Sequence, residues 1–498
     1  MDYVATNSAE IINKSRKSVK WSLLGEILAK LATPISTMIL ARLLTPNIFG
    51  IATAVAIVVS FCESISDSGF AKYIIQHDFI GEDEYNKYFS VSFYVSIFLS
   101  LALCALVVIL RFPLSNFVGN EGYEMVLVVS CIQVPFATVN ALFTACLRRK
   151  FEFKKIFITK IIYSLVPIAV TVPLALLKFE YWSLVFGSII ATVVMTPFLI
   201  MLSKQKVQLY FSFNILKKIL GVSTSMIIES VVIWFCAWIS TFLAANFYDQ
   251  TTIGIVKVAG STVTSIFTLF STAFLSVLFP TLSRLKGDQK AFQESFYSIQ
   301  SATLAILLPL GIGGYFFSDV LTKVFLGSGW AEASFTIGIF CLAKPLMLCF
   351  NNFLSETFRA KGHFYSSIFY QLVMLVQDVI FLLTLGRVGF NAFVVATLLS
   401  NCLTTIICIF ILRLKFKILF SIQLKSVIPS IICCVPLVLV ATTKYLTSYS
   451  FYQSFVQVFV CAFVYFFSMV AMFPNLFSNL LSYFISKNKK TSDNIPQM

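Results

Sequence analysis

Apolar runs of about 20 residues recur along the whole chain, and they restrict its fold more than any other feature of the sequence. A backbone inside hydrocarbon must satisfy its N–H and C=O groups within its own segment or within a closed barrel. Because these runs lack the alternation of barrel strands, they predict helices and an all-α integral membrane protein. The runs that carry no charged residue are Tyr88–Leu110, Met125–Leu147, Tyr181–Ser203, Val258–Ser283, Tyr297–Phe317 and Val388–Leu412.

The composition agrees with a chain that crosses the membrane many times. Hydrophobic residues make up 58% of it and charged residues 12%, and the mean hydropathy is +0.89, which excludes an ordinary water-soluble domain. We predict about 14 transmembrane helices. They begin near Val19, Phe49, Tyr88, Tyr123, Ile156, Tyr181, Leu216, Thr251, Phe296, Ala333, Phe364, Phe390, Val427 and Gln453.

The basic residues orient these helices. With the N-terminus in the cytoplasm, 28 of the 37 Lys and Arg residues fall at cytoplasmic ends, 6 at the opposite ends and 3 within spans. Positive residues in short loops are retained in the cytoplasm, so we predict that both termini are cytoplasmic. The net charge of +15 then belongs to helix ends that face anionic membrane lipid, and we expect no nucleic-acid partner.

Residues for metal or nucleotide chemistry are sparse. The 12 cysteines lie in apolar spans without a C-x-x-C pair, and the two histidines, His77 and His363, are far apart. The chain also lacks a G-x-x-x-x-G-K-[ST] loop for nucleotide phosphates. We therefore expect no metal, no cofactor and no enzymatic activity, and interpret the cysteines as small hydrophobic residues.

An internal repeat divides the chain. Leu40-Ala41 followed by Phe49-Gly50-Ile51 recurs as Leu243-Ala244 followed by Ile253-Gly254-Ile255, and Leu147-Arg148 recurs as Phe358-Arg359. Each unit holds six helices, which predicts parallel repeats about an axis normal to the membrane, a design in which transporters bind substrate between the halves. The predicted domains are a six-helix lobe over 1–212, a second over 213–418, and two additional helices with a tail over 419–498.

Charged residues inside spans are candidates for function, because each costs about 2.5–3.5 kcal/mol on insertion scales. Glu26 and Glu229 each lie 14 residues before the repeated Leu-Ala pair. Glu26 and Lys30 are also spaced to neutralise each other on one helix face. Lys257 and Lys344 either line a cavity or reach towards the interface. Asp378 is expected to face protein.

Several motifs resemble the polysaccharide-transport flippases of bacteria. The resemblance is strong in the N-terminal half and thins after about residue 215. The residues that carry it are Lys20-Trp21, Leu40-Ala41-Arg42-Leu43-Leu44-Thr45-Pro46, Phe49-Gly50, Asp67-Ser68-Gly69-Phe70, Ile75-Gln76, Leu147-Arg148-Arg149-Lys150-Phe151-Glu152-Phe153-Lys154 and Tyr181-Trp182-Ser183-Leu184-Val185.

The resemblance implies two six-helix bundles in a V around a cavity, in the multidrug, oligosaccharidyl-lipid and polysaccharide exporter superfamily. It implies an inner-membrane protein that flips undecaprenyl-pyrophosphate-linked glycan for O-antigen, capsule or exopolysaccharide, with a polymerase and chain-length machinery as partners. The alternatives are a drug exporter of the same superfamily, a membrane-embedded glycan polymerase or acyltransferase, and a cell-wall precursor flippase.

A pyrophosphate needs cations along its path. The candidates for the substrate cavity are Lys30, Arg42, Lys257 and Lys344. The candidates for gating or ion coupling are Glu26, Glu229, Asp67, Asp378, Arg148 and Arg359. For Asp67, a helix stop is an equally good interpretation.

Overall fold

The computed structural model describes residue 32 and residues 34–285, 287–447, 451–474 and 476–478. Within these ranges, the side chains at 67, 68, 222–226, 229, 273, 276, 364, 422 and 445–447 are outside the description.

The described residues form helices joined by short turns. They are α1 (Pro34–Leu43), α2 (Pro46–Gln76), α3 (Glu82–Ile109), α4 (Arg111–Phe117), α5 (Glu124–Ser130), α6 (Gln133–Arg149), α7 (Phe153–Leu176), α8 (Tyr181–Ser203), α9 (Phe213–Phe247), α10 (Gln250–Arg284), α11 (Gln289–Phe316), α12 (Ser318–Phe325), α13 (Ala333–Leu346), α14 (Asn352–Ala360), α15 (Phe364–Gly386), α16 (Phe390–Phe416), α17 (Phe420–Thr447) and α18 (Phe451–Met472). A 3₁₀ turn covers Ser328–Trp330, and a π-helical turn at Met347–Asn351 joins α13 to α14.

Thirteen spans in the described residues are long and apolar enough to cross a membrane. They correspond to the second to fourteenth predicted helices, so the polytopic all-α fold is confirmed. The first predicted helix falls largely outside the described residues, and the total of 14 stays a prediction. The largest differences in starting position are at α11 and α17, which begin at Gln289 and Phe420. The start of α11 is mostly polar, and apolar and polar residues alternate at the start of α17, so both helices begin before the apolar run on which the prediction was based.

The chain packs into two compact units. Unit 1 comprises Met1–Ser265, Thr322–Thr336 and Ile368–Ala396, and unit 2 comprises Ile266–Leu321, Ile337–Ser367 and Thr397–Met498. The predicted division at 212 and 418 was based on the internal sequence repeat, whereas these units reflect how the helices pack. The predicted division stays a prediction.

Unit 1 is built on α2, which carries buried residues on several faces. Near one end, Phe70, Tyr73 and Ile74 are buried with Phe89 and Phe143. Further along, its buried residues Ala54, Val55 and Val58 belong to a second cluster, against which the partly buried Trp234 and Trp238 of α9 pack. Lipid alone could cover an apolar helix, so the burial of these residues shows that other helices surround α2. This packing fixes the positions of the α9 side chains relative to α2.

Unit 2 packs α17 and α18 onto α11 through buried polar groups. The hydroxyl of Tyr465 on α18 donates to the carbonyl of Ala305 at 2.7 Å. Ser426 on α17 donates to Gln300 on α11 at 3.0 Å, and both side chains are buried. Buried polar groups must be hydrogen-bonded, so these contacts specify how the two last helices attach.

Candidate functional site

Lys257 lies on α10, seven residues after Gln250 and so roughly 10 Å along a helix that can span a membrane. Its ammonium nitrogen lies 3.6 Å from the centroid of the Trp238 ring on α9. In the described part of the chain, this neutral indole is the partner of the ammonium. A cation on an indole face gains about 2 kcal/mol or more when it is desolvated. The positive charge of Lys257 is therefore held inside the span without being neutralised.

Lys344 lies on α13, 11 residues after Ala333 and so roughly 16 Å along the span. Its ammonium nitrogen lies 3.7 Å from the sulfur of Met347. A thioether is an uncharged, weak acceptor. Met347 follows Lys344 by three residues on the same helix, so this contact keeps the ammonium beside its own helix within the span.

The helix changes its hydrogen-bonding pattern directly after Lys344, where Met347–Asn351 forms the π-helical turn. Gln300 of α11 donates its side-chain amide to the carbonyl of Cys349 in this turn at 3.1 Å, and it accepts from Ser426 of α17. Such turns are rare and occur frequently at functional sites. The buried polar chain fixes the turn, and with it the backbone that carries Lys344.

Several other cations in the described residues form ion pairs with carboxylates. These pairs join Lys87 with Asp83, Lys155 with Glu152, Arg359 with Glu356 and Lys444 with Asp319. Lys257 and Lys344 instead contact an indole ring and a thioether, which leave their charge available. In the described residues, neither ammonium group is paired with a carboxylate that an incoming anion would have to displace.

Arg42 occupies a different environment, where α1 meets the end of α12 and the 3₁₀ turn that follows it. Its guanidinium donates to the carbonyl of Val324 at 3.0 Å. The neighbouring carbonyl of Ala41 accepts from the indole N–H of the buried Trp330 at 2.7 Å. The ring of Trp330 also packs edge-on against Phe49, with centroids 5.4 Å apart. Arg42 thus joins residues that are 282 positions apart in the chain.

The first turns of α2 and α10 cross beside this junction at glycines. A Cβ added at Gly50 would overlap the carbonyl oxygen of Gln250, and one added at Gly254 would overlap that of Pro46. The added Cβ at Gly254 would also lie 3.0 Å from the backbone nitrogen of Gly50. Adding 204 to Pro46 and Gly50 gives Gln250 and Gly254, so the two contacts are reciprocal. That reciprocity is what the predicted two-fold repeat would produce.

We call this group of contacts the seam. Its residues are Ala41, Arg42, Pro46, Phe49, Gly50, Gln250, Gly254, Val324 and Trp330, all in unit 1. The loop after α4 extends the seam, because Gln250 donates to the carbonyl of Gly119 and, at 2.9 Å, to the side-chain oxygen of Asn120.

Arg149 holds the opposite end of α2. One of its guanidinium nitrogens donates to the carbonyls of Ile74, Ile75 and His77 at 3.0, 3.3 and 2.6 Å. The guanidinium also lies over the ring of Phe79, 4.7 Å from its centroid. The last carbonyls of a helix have no intrahelical partner, and a cation there satisfies them.

We expect Arg149→Ala to lower the free energy of unfolding by about 2 kcal/mol, because it leaves three helix-end carbonyls without a charged donor. The exposed Arg148 precedes it and provides the matched control, so Arg148→Ala should leave stability unchanged. Thermal unfolding of the purified protein in detergent measures both. Equal stability of the two variants would show that the hydrogen bonds from Arg149 to the end of α2 do not contribute to stability.

The other predicted residues are placed as follows. Glu26 and Lys30 lie outside the described residues, and for Asp67 and Glu229 the structure describes the backbone in α2 and α9 but not the side chain. The helix-stop interpretation of Asp67 is wrong, because α2 continues past it to Gln76. Asp378 is half-buried on α15. Arg359 pairs with Glu356 one turn earlier on α14 at 3.0 Å. The gating and coupling roles of these residues stay predictions.

Three functional candidates escaped sequence reasoning: Trp238, Met347 and Arg149. Trp238 follows Trp234 by four residues, a spacing that places both on one helix face, but nothing local relates it to Lys257. Met347 follows Lys344 by three residues, so the same spacing rule could have predicted that their side chains meet. Arg149 stands in a run of three basic residues, and sequence cannot select the one that turns inward.

The cysteines and acidic residues bear on metal binding. All 12 cysteines are free thiols; most are buried, whereas Cys236 and Cys402 are exposed. Both lie on membrane-spanning helices, where a small apolar side chain is also suited to a lipid-facing position. In the ranges described, no group of three or more His, Cys, Asp or Glu side chains is arranged to hold a metal ion.

Two known proteins with similar sequences come from Klebsiella pneumoniae and Rhizobium meliloti. An uncharacterized membrane protein in the cps region of Klebsiella pneumoniae is 20% identical over 366 residues, covering 73% of this chain and 74% of that protein. The succinoglycan biosynthesis transport protein ExoT of Rhizobium meliloti is 22% identical over 340 residues, covering 68% of each.

Among solved structures, the lipid II flippase MurJ in an inward closed conformation is similar with a TM-score of 0.75 and 16% identity, covering 92% of this chain and 100% of that one. At this identity, the likeness shows a shared fold. A family model described as polysaccharide biosynthesis protein matches residues 39–335, which is more than half of the chain. The chain therefore belongs to the polysaccharide biosynthesis protein family.

Proposed function

We propose that this protein flips undecaprenyl-pyrophosphate-linked oligosaccharide repeat units from the cytoplasmic to the periplasmic leaflet of the bacterial inner membrane, for O-antigen, capsule or exopolysaccharide synthesis. It acts as a transporter without catalysing a reaction. One observation carries the proposal: Lys257 and Lys344 hold ammonium groups inside spans against uncharged partners.

The charge of the cargo explains why such lysines are useful. Hydrocarbon does not solvate a pyrophosphate, so a flippase must supply cations where the lipid supplies none. Charge-assisted hydrogen bonds to phosphate contribute about 1.5–3 kcal/mol each. A lysine inside a span opposes insertion of its helix, so a function that requires its charge would account for its presence there. Family membership and the transport function stated for the Rhizobium relative support the same cargo class.

The seam is suited to close the periplasmic side of the transporter during an alternating-access cycle. The first turns of α2 and α10 lie at predicted periplasmic ends, as do α12 and the end of α1. Apart from the guanidinium of Arg42, which is exposed, the contacts at the seam involve backbone carbonyls, an indole N–H and glycines, so the seam can form and separate without burying a charge in lipid. We propose that the seam opens to release glycan to the periplasm and that both termini stay in the cytoplasm. A polymerase and chain-length machinery would then receive the flipped unit.

The experiment measures lipid-linked glycan in a strain without this gene, scored by leaflet with a membrane-impermeant lectin or hydrolase. We expect accumulation on the cytoplasmic face and restoration of periplasmic delivery by the wild-type gene. Normal delivery of finished polysaccharide would overturn the proposal in favour of small-molecule export. Periplasmic repeat units that stay unpolymerised would overturn it in favour of a polymerase.

A further inference from the structure

The contact of Trp238 with Lys257 leaves part of the ammonium group open to a ligand. The Lys257 ammonium lies 3.6 Å from the ring centroid, so the indole covers one side of the nitrogen. An ammonium carries three N–H donors, and a ring on one side leaves donors for another ligand on the others. Both side chains are half-buried. The lysine is therefore held in place while part of its hydrogen-bonding capacity stays open.

Packing fixes the ring that holds the lysine. Trp238 packs against the buried cluster of α2 that includes Val55 and Val58, together with Trp234 and Phe242 of its own helix. A lysine side chain is flexible, and it loses up to about 2 kcal/mol of rotamer entropy when it is ordered. A ring that orders the side chain beforehand removes part of that loss from the step in which an anion binds.

A neutral partner differs from a carboxylate in one respect that matters for a phosphate ligand. A carboxylate would cancel the charge of Lys257 and compete with the incoming anion. The indole stabilises the ammonium through its quadrupole and keeps the full positive charge. An anion that contacts Lys257 can bind while the ring remains in contact with the nitrogen, so binding does not require a contact to be broken.

We propose that Trp238 is a positioning residue that holds the Lys257 ammonium ready for the phosphate groups of the transported lipid. The indole and the lysine then act as one unit that selects a polyprenyl diphosphate over an uncharged polyprenol. This inference rests on the proposed function, because it assigns a selectivity device to the same cargo.

Trp234 provides the matched control. It lies one turn earlier on α9 and packs against the same α2 cluster. Its indole N–H donates to Ser60 at 2.9 Å, and its ring meets Phe61 with centroids 4.8 Å apart. In the described part of the chain its ring contacts no cation. Replacing Trp234 therefore removes a tryptophan of similar burial without touching Lys257.

The test measures binding of undecaprenyl diphosphate and of undecaprenol to the full chain in lipid vesicles. We expect Trp238→Leu to weaken diphosphate binding roughly tenfold, and Trp238→Phe to weaken it less because a smaller aromatic face remains. Undecaprenol binding should not change in either variant. Trp234→Leu should leave the ratio of the two affinities unchanged, because any effect of lost packing would act on both ligands alike.

A double-mutant cycle with Lys257→Gln decides whether the ring acts through the lysine. We expect Trp238→Leu to have no further effect on diphosphate binding once Lys257 is replaced. A full tenfold loss in that background would overturn the inference, because the ring would then act through packing alone. If the wild-type protein does not distinguish the two lipids, the proposed function fails. If it does, and Trp238→Leu binds diphosphate normally, only this inference fails.

Discussion

Replacing Gly254 with alanine is expected to reduce flipping at least tenfold, because a backbone-to-backbone crossing leaves no space for a methyl group. The added Cβ would overlap the carbonyl oxygen of Pro46 and approach the nitrogen of Gly50. Neither atom belongs to a side chain that can rotate away. The helices α2 and α10 would have to separate, and the contacts of Gln250 with the loop after α4 would be disturbed with them.

The matched control is Gly313→Ala on α11. An added Cβ there meets no atom within 4 Å, so only the helix propensity changes. Alanine should then raise stability by about 0.5–1 kcal/mol or leave it unchanged, with flipping at the wild-type rate. Because Gly50 and Gly254 lie at one crossing, Gly50→Ala together with Gly254→Ala should lose less than the sum of the two single losses. Wild-type flipping and thermal stability in Gly254→Ala would show that the seam does not close this tightly during transport.

Lys344→Gln is expected to lose transport while the protein becomes no less stable, a combination that is unusual for a substitution in a membrane span. Removing the charge relieves an insertion cost of about 2.5–3.5 kcal/mol and breaks only a contact with the sulfur of Met347. Transport should fall roughly tenfold or more, because a charge-assisted hydrogen bond to phosphate is lost. Lys344→Arg should keep most of the activity, since it keeps the charge.

Leaflet-resolved glycan and thermal unfolding, measured on the same variants, separate the two effects. Lys87→Gln is the control, because Lys87 pairs with Asp83 at the surface and should tolerate the change in both measurements. A variant Lys344→Gln that unfolds at a lower temperature and flips normally would reverse both expectations. The lysine would then be a structural residue held by packing.

Much of the fold was predictable because its cause is local. A helix in hydrocarbon is dictated by a run of apolar residues and by the need to satisfy the backbone within the segment, and both are visible in the sequence. The helices α8, α13, α15 and α16 begin at their predicted residues: Tyr181, Ala333, Phe364 and Phe390. The family resemblance was confirmed for the same reason, since it rested on contiguous motifs, all of which except Lys20-Trp21 lie between Leu40 and Val185 in the matched region.

The candidate site was predictable only in part. Lys257 and Lys344 stood out because charge in an apolar run is rare, and the structure places both ammonium groups inside spans. Arg42 was predicted from the same chemistry for the substrate cavity, but it is bonded to the carbonyl of Val324 at the seam. Its exposed end-of-helix position gave no indication of that partner, because Val324 lies in a segment far along the chain.

The set of helices, their apolar character and the uneven distribution of basic residues can be read from the sequence, because each follows from properties that a segment carries alone. The contacts between distant groups cannot: Trp238 meets Lys257, Gly50 meets Gly254, and Arg149 binds the end of α2 only in the folded chain. Hydropathy and backbone hydrogen bonding act within about 20 residues, whereas the meeting of side chains on different helices depends on how whole helices cross and pack.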